Sequence, residues 1–239
     1  MKKTLNPPIK RMAKARATER VVSFNPPSEG YWIIPSEKGD ILLANTLLPT
    51  MTQDQVAKYE TKEGFHSMSM PEHFELFDAL YQLRGKGGDV EKTRQFIQHS
   101  MRDFYPNTQT RIIYTPKGND KIVHGYGTSS AIEKRAEIVG ANGKVLDVLT
   151  KRASMALTDK TPEQVAELMH YINRTPTYVC RLNQKPASVD DERVARLGAG
   201  FDGAGLGCFR SPQDEYPALG VHFCAKRRKK FQEANNEIL

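Results

Sequence analysis

The chain has 239 residues, 38% of them hydrophobic, with a mean hydropathy of −0.57: enough to bury a core as one large domain or two small ones, with no run long enough to span a membrane. Three cysteines, Cys180, Cys208 and Cys224, make no disulfide framework; reduced, buried thiols are the expectation, with a single bridge between two of them left open. The net charge of +7 sits on the ends, since residues 1–20 hold seven Lys/Arg against one Glu and residues 226–239 five against two, which confines any nucleic-acid contact to the termini.

Residues 1–27 read as a basic arm broken by Pro7-Pro8 and Pro26-Pro27, without the apolar segment of a secretory signal. A body over 28–225 is expected as a single domain, followed by a basic tail over 226–239. Its first strands are predicted at 31–34, ended by Pro35, and at 41–48, after the turn-like Lys38-Gly39-Asp40. Trp32, the only tryptophan, is expected to anchor the core. Thr52 can cap a short helix through about Lys58. Pro71 suits a helix start, with Phe74, Phe77, Leu80 and Tyr81 on one face up to Arg84. After the break Gly85-Lys86-Gly87-Gly88, Asp89 is predicted to cap a helix whose Val90, Ile97, Met101 and Phe104 form a stripe, stopped by Tyr105-Pro106. Met68 and Met70 read as packing residues.

The middle is strand-rich. Residues 111–115 and 121–126 flank a hairpin loop at 116–120, which lacks the G-x-x-x-x-G-K-[ST] string of a phosphate loop. Residues 137–139 and 145–149 flank Asn142-Gly143, a second hairpin signal. Thr161-Pro162-Glu163-Gln164 opens a helix as a capping box, with Val165, Leu168, Met169 and Ile172 as its apolar face. A strand over 178–182 leads to the closing unit.

That unit, residues 193–224, is crowded with glycine. Gly198-Ala199-Gly200-Phe201-Asp202-Gly203 matches G-x-G-x-x-G, but no helix can follow it: glycine disfavours helix and Pro212 closes the run, so a dinucleotide site is rejected. A hairpin fits better, with 194–201 turning at Asp202-Gly203 and returning over 204–209. Alternation puts Val194, Arg196, Gly198 and Gly200 on one face and Ala195, Leu197, Ala199 and Phe201 on the other, more apolar face. Residues 211–216 form a polar loop and 217–223 a closing apolar strand.

The order R-V-x-R-x-G, glycine-rich excursion, C-x-R-S-P, polar loop, A-L-G-V resembles the C-terminal end of the C-type-lectin-like fold in its formylglycine-generating-enzyme variety. More narrowly, it is similar to the variable proteins of diversity-generating retroelements, including those of archaea and their viruses. The matching residues are Arg193, Val194, Gly198, Cys208, Pro212, Ala218, Leu219, Gly220 and Val221; His222 stands where the family has an Arg. The resemblance implies an α+β, C-type-lectin-like fold of antiparallel sheets with flanking helices. It implies a variable segment at about 193–222, a protein or cell-surface ligand, and a place on a virus particle or cell surface. The exposed positions between the fixed ones would carry recognition: Leu197, Gly198, Gly200, Phe201, Gly203, Ala204, Gly207, Phe209, Arg210, Gln213, Asp214, Glu215 and Tyr216. Tyr, Phe and Arg supply rigid contact area there, while Gly, Asp and Gln adapt or hydrogen-bond.

Catalysis has little support. The six histidines are scattered, and no H-E-x-x-H, C-x-x-C or G-x-S-x-G occurs. His222, Cys224 and Cys208 lack metal-site spacing and read as strand residues alternating in and out. The carboxylates Glu72, Glu75, Asp190, Asp191 and Glu192 read as solvated, and Cys208 and Cys224 do not sit in the reactive-cysteine motif of formylglycine-generating enzymes. The expectation is therefore a non-enzymatic binding module without metal or cofactor. The rivals are a nucleic-acid-associated or virion structural protein acting through its basic ends, and a small-molecule enzyme of unrecognised type.

Overall fold

The computed structural model describes residues 30–200 and 203–225. The basic arm, the basic tail, Phe201 and Asp202 lie outside the described residues. The chain opens with the hairpin β1 (Tyr31–Pro35) and β2 (Gly39–Met51), in which Ile34 faces Ile41. Period-two alternation buries Trp32 and Ile34 and leaves Ile33 exposed; the Trp32 ring meets Phe96 at 5.0 Å. Thr52 and Gln55 form the capping box of α1 (Gln53–Val56). After β3 (His66–Ser67), Ser69 and Glu72 form a second box at the start of α2 (Met70–Gln82), with Pro71 in its first turn and Met70, Phe74, Phe77 and Leu80 fully buried. Helix α3 (Gly88–Asp103) starts earlier than the expected Asp89 cap: Gly87 is the N-cap, and Asp89 sits in the first turn, where its charge favours the helix dipole. Val90, Ile97 and Met101 are buried as expected, but Phe104 is 43% exposed. It is the C-cap residue, already off the helical stripe, and its ring packs edge-on against His99.

Strands β4 (Asn107–Tyr114) and β5 (Asp120–His124) form the expected hairpin, extended by β6 (Ile132–Ala136). The second expected hairpin does not form. β7 (Gly143–Lys144) pairs with β8 (Thr177–Cys180), and the supposed return strand is α4 (Val145–Val148). The reason is tertiary. Asn142 Oδ1 accepts from the Arg181 backbone N–H at 2.7 Å, while the Arg181 guanidinium donates to the carbonyls of Ile138, Ala141 and Val148. These bonds hold 138–148 against the end of β8 instead of folding it back on itself. Helix α5 (Lys151–Thr158), capped by Thr150, has no counterpart in the sequence reading; α6 (Pro162–Asn173) has the expected capping box and buried face.

The last strands are β9 (Asp191–Gly200), β10 (Gly203–Arg210) and β11 (Tyr216–Ala225). The sheet runs β1-β2-β11-β4-β9-β10-β8-β7, with β3 on β11 and β5–β6 branching from β4. It is mostly antiparallel; β10–β8 and the short β11–β4 contact are parallel. The architecture is thus mixed α+β. Helices α2, α3 and α6 pack on one face, over a core that includes Phe74, Ile97, Met169, Leu197, Leu206 and Val221. The other face has only a small cover, where Leu48, Val56 and Ala218 cluster beneath α1. Arg111 fixes that cover: its guanidinium bonds Gln53 Oε1, Asp54 and Glu192 at 2.6–2.8 Å and stacks on Tyr126. Among the described residues the cover reaches the first residues of β9 at Glu192 and leaves the glycine-bearing parts of β9 and β10 open.

Candidate binding surface

The open part of the sheet is made by register. β9 and β10 pair so that Gly200 faces Gly203, Gly198 faces Gly205 and Arg196 faces Gly207. The alternate residues Ala195, Leu197, Ala199, Ala204, Leu206 and Cys208 are all buried in the helix-side core. The outer face is therefore a floor of five glycines. Since β10 pairs with β9 on one side and β8 on the other, its peptide groups are used in ladders and the floor presents flat backbone. β8 adds Tyr178 beside Gly205 and Cys180 beside Gly207.

The glycines divide into two kinds. A Cβ placed on Gly200 meets nothing within 4 Å, and one on Gly205 or Gly207 meets nothing closer than 3.9 Å. By contrast, a Cβ on Gly198 would fall 2.7 Å from Tyr105 Cδ1, and one on Gly203 would fall 2.6 Å from the Pro176 carbonyl oxygen. Tyr105 and Tyr178 thus form walls around an open floor. Tyr105 is 46% exposed and sits at φ +50°, a region bulky residues seldom adopt. Such positions need surrounding structure to hold them and cluster at ligand-contacting sites.

At the border between floor and cover stands Arg196, only 4% exposed. Its guanidinium lies 3.7 Å from the centre of the Tyr216 ring, and Nη2 reaches Asp214 Oδ2 at 3.4 Å, while the buried Nε has no partner. Burial lowers its pKa; the Tyr216 hydroxyl and then Asp214 pull it the other way, and the nearby charge of Arg210 adds to the lowering. On the neighbouring strand Asn107, in register with Arg196, has its buried Oδ1 unpartnered. The loop carrying Asp214 is pinned where the Gln53 N–H donates to the Pro212 carbonyl at 3.1 Å. On the β8 side the floor adjoins a shallow open cleft of about 560 Å³, lined by Cys180, Arg181, Asn183, Gln184 and Phe209 among others.

Of the thirteen positions expected to be exposed, Leu197 and Ala204 are corrected: both are fully buried, because they alternate with the glycines and point at the helices. Gly198 and Gly203 lie on the outer face but are closed to side chains by Tyr105 and by Pro176 and Tyr178. Gly200, Gly207, Phe209, Arg210, Gln213 and Glu215 are open, while Asp214 and Tyr216 are half-buried against Arg196. Phe201 lies outside the described residues, as does the first residue of the expected Asp202-Gly203 turn. Gly205, Arg196, Tyr105, Tyr178 and Cys180 belong to the surface and were not anticipated. Gly205 is legible as the position between Gly203 and Gly207 on an alternating strand, and Arg196 shares a face with Gly198 and Gly200 by the same alternation; Tyr105, Tyr178 and Cys180 reach the floor only through sheet pairing.

The remaining chemistry-bearing groups are dispersed. The three cysteines are free, and burial pushes the Cys208 thiol up to about 12, so it stays protonated at neutral pH. His222 Nδ1 lies 3.1 Å from the Gly64 carbonyl. Glu72 caps α2, Glu75 pairs with Lys38, Asp190 with Lys121, Asp191 with Arg193 and Glu192 with Arg111. Among the described residues no group of three His, Cys, Asp or Glu is placed to hold a metal, and no helix is long and apolar enough to cross a membrane. Comparison with known proteins yields no match: no family model fits the chain, and no curated protein or solved structure aligns with it significantly.

Proposed function

We propose that this chain is a binding protein of the C-type-lectin-like, retroelement-diversified kind, contacting a protein or cell-surface ligand through the outer face of β8, β9 and β10 and the loop 211–215. The observation that carries the reading is the open glycine floor: a sheet face with its reverse side packed on helices, its backbone bonds used internally, and no cover over Gly200, Gly205 and Gly207 among the described residues. A rigid frame with free outward positions can change what it grips without changing how it folds. Further support comes from β9, β10 and β11, which bring the R-V-x-R strand, the C-x-R-S-P turn and the A-L-G-V strand into one sheet. We assign the surface no catalytic step.

A display library diversified at Gly200, Gly205, Gly207, Phe209, Arg210, Gln213 and Glu215 tests this reading. Most members should melt close to the parent, and selection against unrelated proteins should enrich binders. General loss of folding, or no enrichment from a folded library, overturns it. A second reading, nucleic-acid association, rests on the concentration of positive charge in 1–20 and 226–239. It requires salt-dependent DNA binding that disappears when both segments are deleted.

A further inference from the structure

The binding surface has a polar anchor of defined chemistry. An arginine presents Nε and Nη2 along one edge, the edge that takes a carboxylate side-on through two parallel N–H···O bonds. In Arg196 that edge is under-satisfied. Among the described residues Nε is buried without a hydrogen-bond partner, and Nη2 has one long contact, 3.4 Å to Asp214 Oδ2, beneath the Tyr216 ring that also acts on this guanidinium. By comparison, the buried Arg111 makes three bonds of 2.6–2.8 Å to side-chain oxygens. A buried unpaired donor on a cation is costly, so its retention beside an open floor points outward to a ligand. The charged side chains acting on Arg196 are Asp214 and Arg210, and Arg210 has no carboxylate partner among the described residues. Arg196 therefore lies beside a second cation with a single, distant carboxylate to offset the two.

We propose, building on the binding-surface reading above, that the ligand presents a carboxylate to the Nε–Nη2 edge of Arg196 and lays its flat or apolar part over Gly205 and Gly207. The incoming carboxylate takes the place of Asp214, whose side chain is 38% exposed and free to turn towards solvent. Tyr216 keeps its place over the guanidinium and shields the new pair from water, which strengthens it. The partner is thus an acidic protein surface, with an aspartate or glutamate next to an aromatic or extended segment.

The test uses the full chain and three probes: phenylacetate, phenylacetamide and inorganic phosphate. The readout is the amide and Arg Nε–H resonances in an NMR titration. Phenylacetate should saturably shift the Arg196 Nε–H and the Gly205 and Gly207 amides, and bind about tenfold more tightly than phenylacetamide, the discrimination a charge-assisted pair supports. Asp214→Asn, which removes the competing carboxylate, should tighten phenylacetate several-fold. Arg196→Lys, which keeps the charge but loses the side-on edge, should erase the preference for the acid. Equal binding of acid and amide, a response to phosphate alone, no shift with any probe, or weaker phenylacetate binding in Asp214→Asn each overturn the proposal. The binding-surface reading is tested separately, through the library: selected members whose targets meet the floor without an acidic contact residue would leave that reading standing and end this one.

Discussion

Substituting alanine for three glycines of the floor one at a time tests whether it is open. Gly205 and Gly207 lie in β10 without positive φ, and an added Cβ meets nothing closer than 3.9 Å. Alanine at either site removes backbone freedom from the unfolded chain at no cost to the folded one, a gain of about 0.4–1 kcal/mol. In a domain of this size that corresponds to a rise in Tm of about 1–4 °C. Gly203→Ala is the control. Its Cβ would sit 2.6 Å from the Pro176 carbonyl oxygen, which also accepts a bond from the Ala204 N–H at 2.9 Å, so the backbone itself must move. Forcing an atom into a filled site costs about 1–3 kcal/mol, and the left-handed φ at this position adds strain. Urea melts of the three variants, checked for an unchanged m-value, should place Gly205→Ala and Gly207→Ala at or above wild type and Gly203→Ala well below it. A loss of more than about 1 kcal/mol in Gly205→Ala would mean that something covers the floor, and the case for a ligand there would fall with it.

His73 is buried with Nε2 unpartnered, and burial lowers its pKa from 6.5 to about 4. Between those pH values the unfolded chain binds a proton that the folded chain refuses. Stability should therefore fall as pH drops through that window, by about 3 kcal/mol in all, with His124 adding in the same direction. Urea melts at pH 7 and pH 4.5 should show the drop, and His73→Leu should flatten it; an equal slope in the variant contradicts the assignment. Asp120 is fully buried and accepts from the N–H groups of Thr115, Ile138 and Val139 and from Lys185 Nζ. Asp120→Ala leaves these donors unpaired and should cost about 3 kcal/mol or more by chemical denaturation; a loss under 1 kcal/mol rules out the network as a support of the β4–β5 loop. Tyr114→Phe removes the 2.7 Å bond from the hydroxyl to the Cys208 carbonyl and should cost about 1–2 kcal/mol in the same assay; no change would show that water replaces it.

Where a signal is local, the sequence is a good guide. Thr161 with Gln164 is a capping box in the string of letters and in space, and Thr52, read as a cap, closes a box with Gln55. The β9–β10 hairpin and its two faces follow from alternation alone, which groups Leu197 with Ala195 and Ala199. Counting Leu197 and Ala204 among exposed positions set motif spacing above that alternation, and the core side of the sheet shows which rule governs. Asn142-Gly143 carries a sound hairpin signal, yet four bonds from Arg181, about forty residues away, outweigh it. Tyr105 was legible only as a helix stop. Its ring reaches Gly198 because β4 and β9 pair, and that proximity is not encoded near either residue.

The position of β11 has a consequence for how the protein is made. It lies between β2 and β4, so the hairpin at the start of the described chain joins the rest of the sheet through strand 216–225, which follows every other strand in sequence. Until that strand has been synthesised, β2 carries an open edge, a template for pairing with other chains. Assembly is then governed by a contact spanning some 170 residues, the regime of slow folding. Production at low temperature, or with chaperones that shield strand edges, should therefore raise the soluble yield more than changes to the helical side of the molecule.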